Sequence, residues 1–438
     1  MEVLRRLIIN DNPKTIEKRN MTWNMLGSFL YAFASMALTM AVVQIVGDKG
    51  GGIFTFAFTT FGQQMFMVSY FGIRPYQITD VENQYSFGDY LRLRIVTGAG
   101  ALAIGIAYIL IKSDGYTFEK AWVIFLMVCY KVIDGFADVY EAEFQRSGRL
   151  YLTGKSNTFR TLLSVGSFVS VLAVTKNLVT ASAVAVAAQV LGVLLFDAAV
   201  IGRLDNIDWS WKPARCRGLV KSCLLLFFSV FLDFYIFSAA KYAIEGNMND
   251  TSMAVYGAIF MPTSVINLVA GFVIRPFLTK LSYYWEMRRM QEFRGVIGKI
   301  FFVILILTIL AVGGAAILGI PVLSLLYSNL RGELGGCRLA LVMIILGGGF
   351  NAWMNLFYYT LVIMKKQRQI FGGYVLVCLL AAWISPRFVV RGGILGGSLS
   401  YLILMIVLVL CFGSMTAMGL KKAKQDGNKE IKMDAKEQ

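Results

Sequence analysis

The sequence predicts an all-α polytopic membrane protein, with twelve transmembrane helices in two pseudo-symmetric six-helix lobes around a central cavity. Three observations carry this expectation. Of 438 residues, 57% are hydrophobic and only 16% charged, with a mean hydropathy of +0.64, a balance foreign to soluble domains. Apolar stretches of about 20 residues, enough to cross a roughly 30 Å hydrocarbon layer, follow one another along the chain. Finally, Ile-Arg-Pro at residues 73–75 recurs at 274–276, 201 positions later.

In order, the expected spans are 22–46, 51–73, 93–111, 121–145, 158–175, 178–202, 219–243, 253–276, 297–320, 338–364, 370–386 and 393–419. Before them, residues 1–21 form a cytoplasmic interfacial N-terminus, in which Leu4, Leu7 and Ile8 beside Arg5 and Arg6 suggest a short surface helix. No cleaved signal peptide is expected, because no sufficient apolar core precedes Pro13. The first six spans make an N-lobe over 22–202 and the last six a C-lobe over 219–419. A basic cytoplasmic linker, 203–218, joins them, and a polar basic tail occupies 420–438.

Orientation follows from the retention of Lys and Arg on the cytoplasmic side of short loops. With the N-terminus inside, cytoplasmic segments carry 32 of the 42 basic residues and external segments 9, with Lys131 inside a span. Both termini are therefore expected in the cytoplasm. The same asymmetry explains the net charge of +16 and the pI near 9.5, together with attraction to anionic lipid. A nucleic-acid partner would need a basic patch interleaved with aromatics on a soluble face, and none is present.

Several chemistries drop out by composition. Histidine is absent, which excludes histidine catalysis and histidine metal ligation. The six cysteines, at 129, 216, 223, 337, 378 and 411, contain no CxxC pair and indicate neither a disulfide framework nor a zinc site. The longest external segment, about 321–337, holds a single acidic residue, Glu333, so a membrane enzyme with external catalytic carboxylates is disfavoured.

Laying residues 22–111 over 223–312 keeps the spans in phase and superposes the two Arg-Pro pairs. Six helices per repeat is even, so both copies enter the membrane from the same side, an arrangement transporters use when one half rocks against the other. The proline is expected to stop each helix and to leave the arginine at the inner interface. Arg74 and Arg275 would then face each other at the cytoplasmic mouth, or else anchor lipid headgroups separately.

The fourth span holds the strongest signal. Lys131, Asp134, Asp138, Glu141 and Gln145 follow at intervals of 3, 4, 3 and 4, one face of an α-helix. A charge facing lipid near the midplane costs roughly 2.5–3.5 kcal/mol on insertion scales, so this stripe must face the protein interior or water. It lines a water-filled cavity, or Lys131 and Asp134 form an ion pair that fixes helix packing. Asp233 in the seventh span is a second deep carboxylate, able to take up a cation or to pair with Lys131 or Lys241. Asp197, near the inner end of its span, snorkels or pairs locally. Asn351 and Asn355 share a face of the tenth span, where Gly347, Gly348 and Gly349 allow close packing.

The stretches containing Asn20, Trp23, Gly27 and Ser35, FGIRPYQITDV at 71–81 and YKVIDGFADVYEAEFQRSGRL at 130–150 resemble the bacterial polysaccharide flippases, the Wzx-type group of the multidrug/oligosaccharidyl-lipid/polysaccharide exporter superfamily. The likeness covers the whole chain in span count and topology, and its motifs concentrate in the first 150 residues. Ala142 stands where the family often has glycine. The resemblance implies a flippase turning undecaprenyl-diphosphate-linked oligosaccharide from the inner to the outer leaflet by alternating access. It implies partners among membrane lipids, a polysaccharide polymerase and glycosyltransferases, and no cofactor beyond coupling to H⁺ or Na⁺. It further implies Arg74, Lys131 and Arg275 as diphosphate or sugar-acid contacts. Gln145, at the inner end of the stripe, is counted with them as substrate-binding, and Asp134, Asp138 and Asp233 as cation-coupling. Two rival expectations are a cation-coupled multidrug exporter of the same fold and a membrane enzyme of polysaccharide assembly.

Overall fold

A computed structural model describes residue 9 and residues 14–80, 84–204, 207–210 and 213–437, with side chains described throughout except at 213–214 and 424–437. The expected interfacial helix around Leu4–Ile8 lies outside the described residues. Among those described, all regular structure is helical. Nine helical runs are long and apolar enough to cross a membrane; the protein is a multi-pass membrane protein. The chain divides into two compact units, Met1–Phe231 and Leu232–Gln438.

Unit 1 begins with α1 (Ile16–Thr55), which breaks at Gly47, where φ is 82°. A π-helical stretch, Phe56–Phe61, leads into α2 (Gly62–Tyr70). Then come α3 (Ile73–Thr79), α4 (Phe87–Ile111), α5 (Phe118–Arg146), α6 (Leu150–Thr175) and α7 (Leu178–Val193). A second π-helical stretch, Leu194–Ala198, follows α7. Short polar residues set the starts. Ser86 and Asp89 form a reciprocal capping box on α4, while Thr117 and Asn177 accept from backbone N–H groups of α5 and α7, satisfying donors that a helix start leaves open. Between α6 and α7, Lys176 turns the chain in a left-handed conformation.

The centre of unit 1 is α5, which contacts α1, α2, α3, α4, α6 and α7. Its neighbours α1 and α6 approach to backbone contact, because a Cβ added to Gly27 would lie 2.6 Å from the Gly154 carbonyl oxygen. Such small-residue contacts let van der Waals packing hold membrane helices together.

Unit 2 takes over within α8 (Pro213–Asn247) and continues with α9 (Asp250–Phe260), α10 (Pro262–Ile274), α11 (Leu278–Glu286) and α12 (Met290–Gly314). After α13 (Ile320–Leu326) come α14 (Arg338–Ile363) and α15 (Gln367–Glu437), which breaks at Gly393. Here α14 is central, contacting α9, α10, α11, α12 and α15. Its three glycines serve three neighbours: Gly347 abuts the Tyr401 ring, Gly348 abuts Ile266, and Gly349 abuts Thr308. Asn351 donates to Asn267 at 2.8 Å, the interhelical bond expected of this face.

The punctuation at Ile-Arg-Pro works differently from expectation. In the first copy Phe71 and Gly72, both with positive φ, end α2, and Pro75 sits in the first turn of the next helix, α3, where its missing N–H costs nothing. In the second copy Arg275, Pro276 and Phe277 form a 3₁₀ turn between α10 and α11. The two copies thus share a sequence and differ in backbone.

Candidate functional site

Along α5 the polar stripe is buried inside unit 1, and its groups find partners on five other elements. Asp134 accepts from Tyr31 of α1 at 2.9 Å, from Arg160 of α6 at 3.1 Å and from Gln189 of α7 at 3.2 Å. Asp138 accepts from Arg74 of α3 at 2.5 Å and from Arg94 of α4 at 2.9 Å. Glu141 joins Arg160 at 2.8 Å and Arg74 at 3.2 Å, and Gln145 accepts from Arg74 at 3.1 Å. Arg160 also reaches Asp197 at 3.0 Å, whose other oxygen accepts from Ser156 at 2.6 Å. Each carboxylate therefore has at least two donors, the condition under which a desolvated charge is tolerable.

Lys131 is placed differently. Its ammonium donates to the Tyr31 hydroxyl at 3.2 Å and lies 4.2 Å from the centroid of the Phe58 ring, a cation–π arrangement. Among the described residues it makes no ion pair, so the Lys131–Asp134 pair, one of the two alternatives for this stripe, is not formed and Tyr31 stands between them. Four carboxylates, three arginines and this lysine make the cluster formally neutral.

Local backbone features aim these groups. The π-helical stretch 56–61 carries Phe58 against Lys131, and the stretch 194–198 carries Asp197 against Arg160; each wide turn displaces one residue from the α-helical register. Gly62 leaves room for the lysine stem, since its Cβ would lie 3.3 Å from the Lys131 Cγ. On another side of α5, Gln77 of α3 donates to Glu143 at 2.9 Å and to the Val139 carbonyl at 3.2 Å. Arg146 binds Glu143 at 2.8 Å. These contacts clamp α3 to α5 and fix where Arg74 points.

The structure therefore gathers Arg74, Lys131, Asp134, Asp138 and Gln145 into one cluster. Arg74 is turned onto the carboxylates of Asp138 and Glu141. Asp197 pairs locally and does not snorkel. Asp233 and Arg275 belong to unit 2. There Asp233 is half-buried and hydrogen bonded with Tyr374, and it forms no ion pair with Lys241. Arg275 is exposed and has no hydrogen-bond or ion-pair partner among the described residues.

Sequence reasoning passed over Tyr31, Arg94, Ser156, Arg160 and Gln189. Arg94 and Arg160 both stand within three residues of the expected span starts, 93 and 158. The helices begin at Phe87 and Leu150, so at 1.5 Å per residue the arginines lie about 10 Å and about 15 Å along them. The capping box at Ser86–Asp89 was the signal for the earlier start of α4.

No family model matches the chain, and no curated protein matches it in sequence. Among solved structures, a multidrug-resistance MATE family transporter of the MOP superfamily in an inward-facing conformation superposes with a TM-score of 0.70 over 93% of this chain and 98% of its own, at 13% identity. The fold is that of a MATE-like transporter. The lipid II flippase MurJ in its inward closed conformation also aligns, with a TM-score of 0.60 over 91% of this chain and 90% of its own, at 12% identity. So does a MOP superfamily transporter from Pyrococcus furiosus, with a TM-score of 0.55 over 96% and 98%, at 14% identity, whose reverse polarity of binding pocket is taken to suggest a different function. The MATE-like fold accommodates all three at identities that carry no shared substrate.

Proposed function

We propose that this MATE-like protein is a flippase for lipid-linked oligosaccharide, carrying undecaprenyl-diphosphate-linked repeat units from the inner to the outer leaflet of a bacterial cytoplasmic membrane by alternating access. The observation that carries the reading is Arg275: an exposed guanidinium without a carboxylate partner, in a turn whose sequence twin, Arg74, is fully engaged. An unengaged arginine offers a bidentate fork to a diphosphate. Both termini are read as cytoplasmic from the distribution of Lys and Arg.

The nine apolar runs, the breaks at Gly47 and Gly393 within two of them, and the charged helix α5 together support twelve spans in two six-helix lobes. In this reading Arg74, Lys131, Arg275 and Gln145 contact the substrate at some stage of the cycle, and the diphosphate competes with Asp138 and Glu141 for Arg74. Asp134, Asp138 and Asp233 are the carboxylates through which H⁺ or Na⁺ is coupled. In the Pyrococcus furiosus transporter a reverse polarity of the binding pocket is taken to suggest a different function, and an anionic substrate here calls for available cations.

A cation-coupled multidrug exporter is the second reading, favoured by Asp233, whose carboxylate has no basic partner among the described residues. Reconstitution separates the two. Vesicles carrying the purified protein should expose a fluorescent lipid-linked oligosaccharide to an external lectin, and should not extrude a cationic dye. Dye transport without lectin access would replace the flippase by the exporter.

A further inference from the structure

Unit 2 contains a second buried cation whose surroundings have not entered the proposed function. Lys241 lies on α8 and is 6% exposed, with its ammonium 4.3 Å from the Phe260 ring centroid and 5.9 Å from that of Phe237. Among the described residues it makes no ion pair and no hydrogen bond. Glu245, one turn further along α8, forms no ion pair with it, and Asp233, two turns earlier, is engaged with Tyr374. A desolvated ammonium with only ring faces for company is incompletely compensated.

Around the same Phe260 ring stand two tyrosines. The Tyr401 ring is 4.9 Å away and the Tyr256 ring 5.7 Å, while Phe237 closes another side at 5.1 Å. The hydroxyls of Tyr256 and Tyr401 are buried without a hydrogen-bond partner, and so is that of Ser238, one turn before Lys241 on α8. Such orphans are rare in folded proteins, and each asks for an unseen partner. Glycines leave the tyrosines room: a Cβ added at Gly347 would lie 2.6 Å from the Tyr401 ring, and one added at Gly397 would lie 3.4 Å from the Tyr256 ring. The cluster offers three hydroxyls and one ammonium; no carboxylate is hydrogen bonded to any of them, and Asp233 acts on Tyr401 only through its field.

We propose that this cluster on α8, α9 and the second half of α15 is a binding site for a small inorganic anion, of which chloride is the simplest. An ammonium that can only donate, beside three hydroxyls free to turn their protons toward it, suits a ligand that accepts in every direction and brings negative charge. Stoichiometrically one monovalent anion neutralises Lys241 and can satisfy the three hydroxyls, stabilising the packing of α8 against α9 and α15. The proposal does not depend on the substrate assigned above.

Thermal unfolding of the full-length protein in detergent tests it, in chloride against gluconate at equal ionic strength. The wild type should show a saturable rise in its midpoint with chloride. Lys241→Met should abolish that rise, Lys241→Arg should retain it, and Tyr401→Phe should shift its half-saturation to higher chloride. If Lys241→Met does not fold, the Tyr401→Phe and Lys241→Arg titrations carry the test. Phosphate is the second probe, and a response to it alone assigns an oxoanion to the same donors. A wild type indifferent to both anions, or a chloride response unchanged in the folded variants, overturns the site.

Discussion

Arg94 is completely buried and its guanidinium holds Asp138 at 2.9 Å, joining two neighbouring helices of unit 1 through a largely buried charge pair. A second bond runs from Arg94 to the Ser69 carbonyl at 2.8 Å. Removing one partner of a buried pair costs about 3–5 kcal/mol when the other charge is left alone; Asp138 keeps Arg74, so the loss here falls at or below the lower end. Arg94→Ala should therefore lower the thermal midpoint of the purified protein. Arg94→Ala combined with Asp138→Asn should recover part of the loss; equal midpoints for the single and double variants would show that the pair is not coupled.

Tyr31 sits between Lys131 and Asp134, accepting from one and donating to the other. Tyr31→Phe keeps the ring and removes both bonds, leaving Lys131 with the faces of Phe58 and of the retained ring. The expected penalty is about 1–3 kcal/mol for an unsatisfied buried group, read as a lower midpoint in denaturant or heat. A variant as stable as the wild type would mean that the hydroxyl contributes nothing to the cluster.

Arg74 and Arg275 share a tripeptide and should respond differently. Arg74→Ala removes a partner from Asp138, Glu141 and Gln145, so it should reduce both stability and transport. Arg275→Ala removes an exposed, unpartnered group, so midpoint and expression should stay within about 0.5 kcal/mol of wild type while oligosaccharide translocation falls. Undiminished translocation by Arg275→Ala would remove that residue from the substrate path.

Gly27 lies where α1 and α6 meet backbone to backbone. Gly27→Ala forces a methyl against the Gly154 backbone, and rigid backbone cannot yield as a side chain would, so overpacking of about 1–3 kcal/mol is expected. Gly166 on α6 has open space where a Cβ would go, and Gly166→Ala should be neutral or slightly stabilising. Size-exclusion profiles after a heat step compare them directly, and indistinguishable profiles would contradict the backbone contact.

Much of this was legible in the sequence because period and polarity are local properties. The 3-4-3-4 spacing from Lys131 to Gln145 found the central helix of unit 1, and the junction at Lys176 and Asn177 was placed correctly. What the sequence withheld is which distant groups answer the stripe. Arg160 lies 26 residues from Asp134 and 37 from Asp197, and nothing in local pattern states that one guanidinium serves both. The π-helical stretches were equally invisible, since their register depends on packing. Phe71-Gly72 was readable as a left-handed stop, but the proline after it drew the boundary three residues too far.

Alone among the long helices of unit 1, α5 falls outside the nine runs apolar enough to cross a membrane, because its polar stripe is acceptable only in company. Its cationic partners Arg74 and Arg94 are synthesised before it, whereas Arg160 comes after. During biogenesis α5 must therefore wait at the insertion machinery, sheltered by α3 and α4, until α6 emerges and completes the neutralisation. Until Arg160 itself has emerged, this segment stays one cation short of neutrality, poised at the threshold of the bilayer and uncommitted to it.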